Sequence, residues 1–214
     1  MDIDRVVAIL KKATKGMTIP IVTEISWKKS PFKVLISTML SLRTKDAVTA
    51  AASNRLFKVG GTARKLMGLS VGKIEKLIYP VGFYKTKAPK IKEVSRRIVE
   101  EYKGKVPDEI DELLKFDGVG RKTANLVVTL GYGKLGICVD THVHRISNRL
   151  GYVKTKVPDE TEQVLRRKLP HKHWIVYNDL LVTWGQNVCV PISPWCSKCP
   201  LDGTCKKVGV GKRR

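Results

Sequence analysis

PDEIDELLKFDGVGRKTANLVVTL, Pro107 to Leu130, is the stretch whose reading decides the fold. Pro107 to Leu114 and Arg121 to Leu130 each carry apolar residues at helical spacing, and Phe116-Asp117-Gly118-Val119-Gly120 separates them. Two glycines in so short a connection are the signature of a tight turn between two helices. Working outward, the same periodicity recurs. Ile3, Val6, Val7 and Leu10 share one helical face, and Ser30-Pro31 reads as an N-cap with proline at the first helical position, opening Phe32 to Leu40. Further helices are expected from about Thr44 to Val59, around Ile74 to Ile78, and along Ile91, Val94, Ile98 and Tyr102 to a stop at Gly104. Three more follow: Thr141 to Leu150, Asp159 to Leu169, and Trp174 to Gln186. Alternation of the β type is nearly absent, so the expected fold class is all-α.

The 214 residues suffice for one or two compact domains. With 43% hydrophobic and 28% charged residues the chain is neither disordered nor fibrous. No apolar run reaches membrane-spanning length, and the start at Met1 lacks the pattern of a signal peptide. A soluble protein of a reducing compartment is expected, cytoplasmic or, in a eukaryote, nuclear. The 41 Lys and Arg against 19 Asp and Glu give a formal charge of +22. Such an excess favours a polyanionic partner, nucleic acid first, because each phosphate contact releases condensed counterions.

The hairpin fits that partner. Gly118 and Gly120 allow backbone to come close to a ligand, and the helix opened by Arg121-Lys122 presents N–H groups and the positive end of its dipole to a phosphate oxygen. Helix, G-V-G turn and helix make a helix–hairpin–helix module that grips a DNA backbone irrespective of sequence. The plainer alternative is an ordinary αα-hairpin. Lys122, in the first helical turn beside Arg121, is disfavoured as an ammonium and so suits nucleophilic attack on a carbon of aldehyde character. In isolation it reads better as a phosphate contact. Asp140 stands 18 positions later, ahead of a helix, where it is an N-cap or a carboxylate facing developing positive charge. His142 is placed to orient Asp140, to touch DNA, or to sit on the helix surface.

Cys189, Cys196, Cys199 and Cys205 stand C-x6-C-x2-C-x5-C within one loop. Structural zinc usually uses two C-x2-C knuckles; a single close pair flanked by cysteines at longer reach suits the separated corners of an iron–sulfur cluster better. Cys138, alone in an apolar run, reads as a small buried residue. Trp174, Trp184 and Trp195 read as packing, and the basic segment Lys206 to Arg214 as a flexible arm.

Taken together, G-V-G-R-K-T-A-N from Gly118, V-D-T-H from Val139 and the four late cysteines resemble the endonuclease III family of helix–hairpin–helix (HhH-GPD) DNA glycosylases. The resemblance covers nearly the whole chain. It implies two helical lobes: a helical barrel, residues 24–133, with the helix–hairpin–helix at 107–131, and a discontinuous iron–sulfur lobe, residues 1–23 and 134–214, with its cluster loop at 189–205. It implies a 4Fe-4S cluster on Cys189, Cys196, Cys199 and Cys205, and a catalytic pair in Lys122 and Asp140. The implied activity is a bifunctional DNA glycosylase and abasic-site lyase that removes oxidised pyrimidines. The implied partner is double-stranded DNA carrying damaged bases or abasic sites, bound by a monomer.

Two positions depart from the family pattern. Arg43, in Leu40-Ser41-Leu42-Arg43-Thr44, stands where the family carries a glutamine that fills the gap left by a flipped base; an arginine there prefers guanine acceptors. Phe116-Asp117 replaces Leu-Pro before the hairpin, and an acid near a phosphate site is mildly unfavourable. Arginine in this region also marks the mismatch thymine glycosylases of the same superfamily. A monofunctional thymine, uracil or adenine glycosylase is therefore the alternative, although those branches generally lack the lysine found here as Lys122. A non-catalytic DNA-binding or redox iron–sulfur protein is a second alternative.

Overall fold

The computed structural model describes residues 1–26 and 30–214. The described residues form helices and connecting turns, with no β-strand, so the chain is all-α as expected. No helix among them is long and apolar enough to cross a membrane. The chain divides into two compact helical units, one of Ile21–Lys134 and the other of Met1–Pro20 with Leu135–Arg214.

The unit of residues 21–134 contains α2 (Ile21–Ser26), α3 (Pro31–Ser41), α4 (Asp46–Gly60), α5 (Ala63–Met67), α6 (Val71–Ile78), α7 (Tyr84–Glu100), α8 (Ile110–Leu114) and α9 (Arg121–Leu126). Helix α3 is its centre. The Ser30 hydroxyl accepts from the Lys33 amide at 3.4 Å and Pro31 opens the helix. Val34, Leu35, Ile36 and Leu40 are fully buried, because a helix apolar on every side is stable only inside a ring of others. Around it lie α2, α4, α7 and α9. Each of these side chains contributes roughly 1.5–3 kcal/mol of burial.

Local signals set the helix types better than the ends. Helix α7 starts at Tyr84, well before Ile91, and passes through Pro89, where the missing N–H costs one hydrogen bond rather than the helix. Helix α4 starts at Asp46 instead of Thr44, because the Thr44 hydroxyl is engaged elsewhere, accepting from the Gly82 amide at 3.1 Å. The second hairpin helix is α9 continued by a π-helical turn, Val127–Gly131. Inside it, the Thr129 hydroxyl donates back to the Asn125 carbonyl at 2.8 Å. Pro107 lies outside the first hairpin helix, which begins at Ile110. Helices α2 and α5 were not expected; at five or six residues neither carries a readable period.

The other unit packs α1 (Ile3–Ala13), α10 (Thr141–Arg149), α11 (Pro158–Lys168) and α12 (Trp174–Asn187). Ile3, Val6, Val7 and Leu10 join Val143, Ile146, Tyr177, Leu181 and Trp184 in one core. Tyr177 is completely buried, and its hydroxyl lies 3.1 Å from that of Ser147. Cys138 is buried, as expected.

The expectation of a flexible arm is overturned. The segment Lys206 to Arg214 folds back across the cysteine loop. The Val208 amide donates to the Arg149 carbonyl (3.0 Å), the Arg214 amide to the Pro194 carbonyl (2.8 Å), and the Ser197 amide to the Arg214 carbonyl (2.9 Å). The Arg214 guanidinium lies 3.8 Å from the centre of the Trp195 ring. A coil-like loop leaves carbonyls and an aromatic face unpartnered, and the basic segment supplies both amides and a cation for them.

Candidate active site

The hairpin between α8 and α9 turns on Gly118, whose φ of +82° puts it in the left-handed region, and closes with a Val119 amide bond to the Phe116 carbonyl at 3.1 Å. A Cβ on Gly118 would come within 3.2 Å of Lys90 Cδ and 3.5 Å of Met39 Cε. Gly120 is different. It has φ −95° at the N-cap of α9 with no capping side chain, and a Cβ there would meet nothing within 4 Å. The left-handed backbone therefore demands glycine at 118, while 120 faces open space. Arg121 and Lys122 follow in the first turn, both half-buried.

The two departures just before and beside the hairpin have local accounts. Phe116 is buried beneath the Arg97 guanidinium (5.0 Å) and against the edge of Tyr102 (5.5 Å between ring centres). Asp117 is turned toward Lys90, with 2.9 Å between Oδ1 and Nζ, which offsets its charge near the glycines.

Arg43 sits on the turn after α3 with φ +53° and its guanidinium 5.5 Å from the Phe83 ring centre. Arg43 and Gly118, predicted separately from sequence, come together here: they line one cavity with Met39, Leu42, Phe83, Thr86, Lys87 and Lys90. Three of those lining residues are basic, but Lys87 donates to the Leu40 and Leu42 carbonyls and Lys90 pairs with Asp117.

Lys122 belongs to the hairpin unit and Asp140 to the other. Asp140 is nearly buried at the N-cap of α10, where Oδ1 alone accepts from the amides of His142 (2.8 Å) and Val143 (2.9 Å). One carboxylate oxygen thus satisfies two helix-end donors. The His142 ring nitrogen Nδ1 lies 3.1 Å from the Arg145 guanidinium, so its side chain is engaged within α10.

Cys189, Cys196, Cys199 and Cys205 line one cavity, walled otherwise by Arg149, Val188, Pro194, Trp195 and Val210 among others. Four thiols around one space fit a cluster with separated corners. Two donors already point at sulfur: Arg149 Nη1 to Cys189 Sγ and the Lys207 amide to Cys205 Sγ, both at 3.4 Å. Such bonds suit metal-bound thiolates. Burial pushes the Cys199 and Cys205 thiols up, as expected for sulfurs shielded from water in a cysteine-lined cavity.

Residues 36–171 match the family model described as HhH-GPD superfamily base excision DNA repair protein. Endonuclease III of Thermotoga maritima is 49% identical over 176 residues, which are 82% of this chain and 83% of that protein. The chain belongs to the endonuclease III family. Among solved structures, a non-covalent endonuclease III–DNA complex matches with TM-score 0.86 at 32% identity, covering 96% of this chain and 94% of that one. A trapped endonuclease III–DNA covalent intermediate matches with TM-score 0.83 at 30% identity, covering 97% of each. The chain spans about half the length of plant endonuclease III homologues from Arabidopsis thaliana.

Three basic residues of this endonuclease III family member escaped the sequence reading. Arg149, only 7% exposed, donates to the carbonyls of Val190 (2.8 Å) and Pro191 (2.6 Å) and so pins the cysteine loop to α10. Arg145 Nη2 reaches the Cys189 carbonyl at 2.9 Å from the same helix. Lys87 Nζ donates to the Leu40 carbonyl at 2.8 Å and the Leu42 carbonyl at 2.6 Å. The arginines share one sequence signal, a four-residue spacing on α10, but a charged pair at that spacing ordinarily lies on a solvated face.

Proposed function

We infer that this chain is a bifunctional DNA glycosylase and abasic-site lyase of base excision repair, acting on oxidised pyrimidines in double-stranded DNA. The observation that carries the reading is Lys122 in the first turn of a glycine-hairpin helix, in a chain 49% identical to an endonuclease III. That lysine separates a bifunctional enzyme from a glycosylase that relies on water alone. The match to a trapped covalent DNA intermediate supports the same chemistry.

The reacting carbon, C1′, is unreachable inside a stacked duplex, so the nucleotide must be extruded. In the proposed reaction, Lys122 Nζ attacks C1′ while the glycosidic bond breaks and the base leaves with the bonding electron pair. The nitrogen loses a proton, the sugar ring opens, and a protonated Schiff base links Lys122 to the deoxyribose. Loss of a C2′ proton then expels the 3′ phosphate and nicks the strand. Water hydrolyses the imine, releasing an unsaturated aldehyde and restoring the amine. Asp140 is assigned the carboxylate that stabilises the cationic sugar: its Oδ1 is committed to the helix, leaving Oδ2 for the substrate. Gly118, Gly120 and Arg121 are assigned to the DNA backbone, Arg43 to the base left unpaired, and His142 to holding the α10 end near DNA.

Cys189, Cys196, Cys199 and Cys205 are proposed to hold a 4Fe-4S cluster. Base removal by an amine needs no electron transfer, so the role assigned to the bound cluster is to tie the loop to α10 and α12. Nuclear or nucleoid residence follows from the substrate.

Borohydride reduction tests the reading. Native protein on abasic duplex is expected to give a covalent adduct, and Lys122→Gln none. Absence of an adduct with the native chain, or equal trapping by the variant, would refute it.

A further inference from the structure

We propose that Lys87 is the positioning residue that fixes the Leu42–Arg43 turn and, through it, the discrimination of the base opposite the lesion. This rests on the assignment of Arg43 to that base.

Arg43 is exposed, and φ +53° is a conformation that costs a non-glycine residue on the order of 1 kcal/mol unless its surroundings impose it. Lys87 reaches the turn from α7. Its Nζ donates to the carbonyls of Leu40 (2.8 Å) and Leu42 (2.6 Å) and to the Thr44 hydroxyl (3.4 Å), bracketing Arg43 on both sides in the chain. The two carbonyls end α3, where helical carbonyls lack intrahelical donors and the dipole is negative. An ammonium has three donors, and here it meets three acceptors. Burial pushes the Lys87 amine down to about 8, while the oxygens around it favour the charged form. A lysine drawn away from water to close a helix end holds that end in one arrangement.

Gly82 packs against the same turn. Its amide donates to Thr44 Oγ1 at 3.1 Å, and a Cβ on it would fall 2.6 Å from the Arg43 carbonyl oxygen. Lys87 and Gly82 therefore offer two independent ways to move Arg43, one removing a cation and one removing none. Neither is assigned to the sugar or to the hairpin.

The experiment compares single-turnover excision of thymine glycol opposite guanine with excision opposite adenine. Nicking of an abasic single strand, which has no opposite base, is the control. For the native chain the ratio is expected to differ from one by tenfold or more, and Arg43→Ala should collapse it toward one. Lys87→Met and Gly82→Ala should each collapse it at least fivefold, with single-strand nicking held within about twofold and Lys87→Arg recovering part of the ratio. If Arg43→Ala collapses the ratio while Lys87→Met and Gly82→Ala keep it, Lys87 has no positioning role and the Arg43 assignment stands. A native ratio near one, or one that Arg43→Ala leaves unchanged, overturns the Arg43 assignment and this proposal with it. Should Lys87→Met fail to fold, Lys87→Gln takes its place: a ratio kept at the native value overturns the role of Lys87, and a collapse of at least fivefold supports it.

Discussion

Asp140 does two jobs in this reading, and substitution can separate them. As an N-cap, its Oδ1 satisfies two amides of α10, at 2.8 and 2.9 Å, in a position only 9% exposed. Asparagine caps as well as aspartate and keeps an acceptor in the same place, so Asp140→Asn should cost only the charge–dipole part, about 0.3–1 kcal/mol. Asp140→Ala strands both amides where water reaches them poorly. The loss should then lie near the upper end for a cap, about 2 kcal/mol. For a chain of this size that lowers the melting temperature by roughly 4–8 °C. Catalysis should not follow the same order. Both variants lose the negative charge proposed to face the sugar and should excise at least about a hundredfold more slowly, equivalent to about 2.7 kcal/mol of transition-state stabilisation. Thermal unfolding followed by circular dichroism and single-turnover excision on one oxidised-pyrimidine duplex measure the two effects. A native rate from Asp140→Asn would reduce Asp140 to a helix cap. Equal destabilisation by the two variants would refute the capping account.

The hairpin glycines should part in the same way. Gly118→Ala forces a left-handed alanine against Lys90 and Met39 and should destabilise by about 1–2 kcal/mol in a melt. Gly120→Ala should melt within about 0.5 kcal/mol of native yet weaken duplex binding in a titration, since its Cβ points into open space. Arg149→Met leaves the carbonyls of Val190 and Pro191 without their donor and should cost roughly 2–4 kcal/mol, with iron content falling in step. Arg214→Ala removes the cation over Trp195 and should hasten loss of the iron–sulfur visible absorbance under a chelator, with excision by freshly prepared protein unchanged. Hydrogen bonds from Lys172 and His173 hold the Asp4 carboxyl below its usual 3.8. Its contribution is therefore present above about pH 4 and lost as the pH falls through the depressed value. The stability gap between native chain and Asp4→Asn, followed by melting temperature, should narrow only on the acid side.

Reading the sequence alone determined what is local. The apolar spacing of Ile3, Val6, Val7 and Leu10, the Ser30-Pro31 start, the hairpin glycines and the cysteine spacing each depend on neighbours within a turn or two, so they are legible before folding. Asp140 at a helix start is legible for the same reason. Only the tertiary structure decided what those pieces meet. Lys87 reaches across 45 residues to the Leu42 carbonyl, and Arg149 across 41 to that of Val190. Asp117 pairs with Lys90, and a segment read as a loose arm closes over the cysteine loop. In a chain with 41 basic residues, composition does not distinguish a lysine that faces water from one that ends a helix. The distinction lies in which carbonyls folding leaves without a donor, and that is set by packing between elements far apart in the chain.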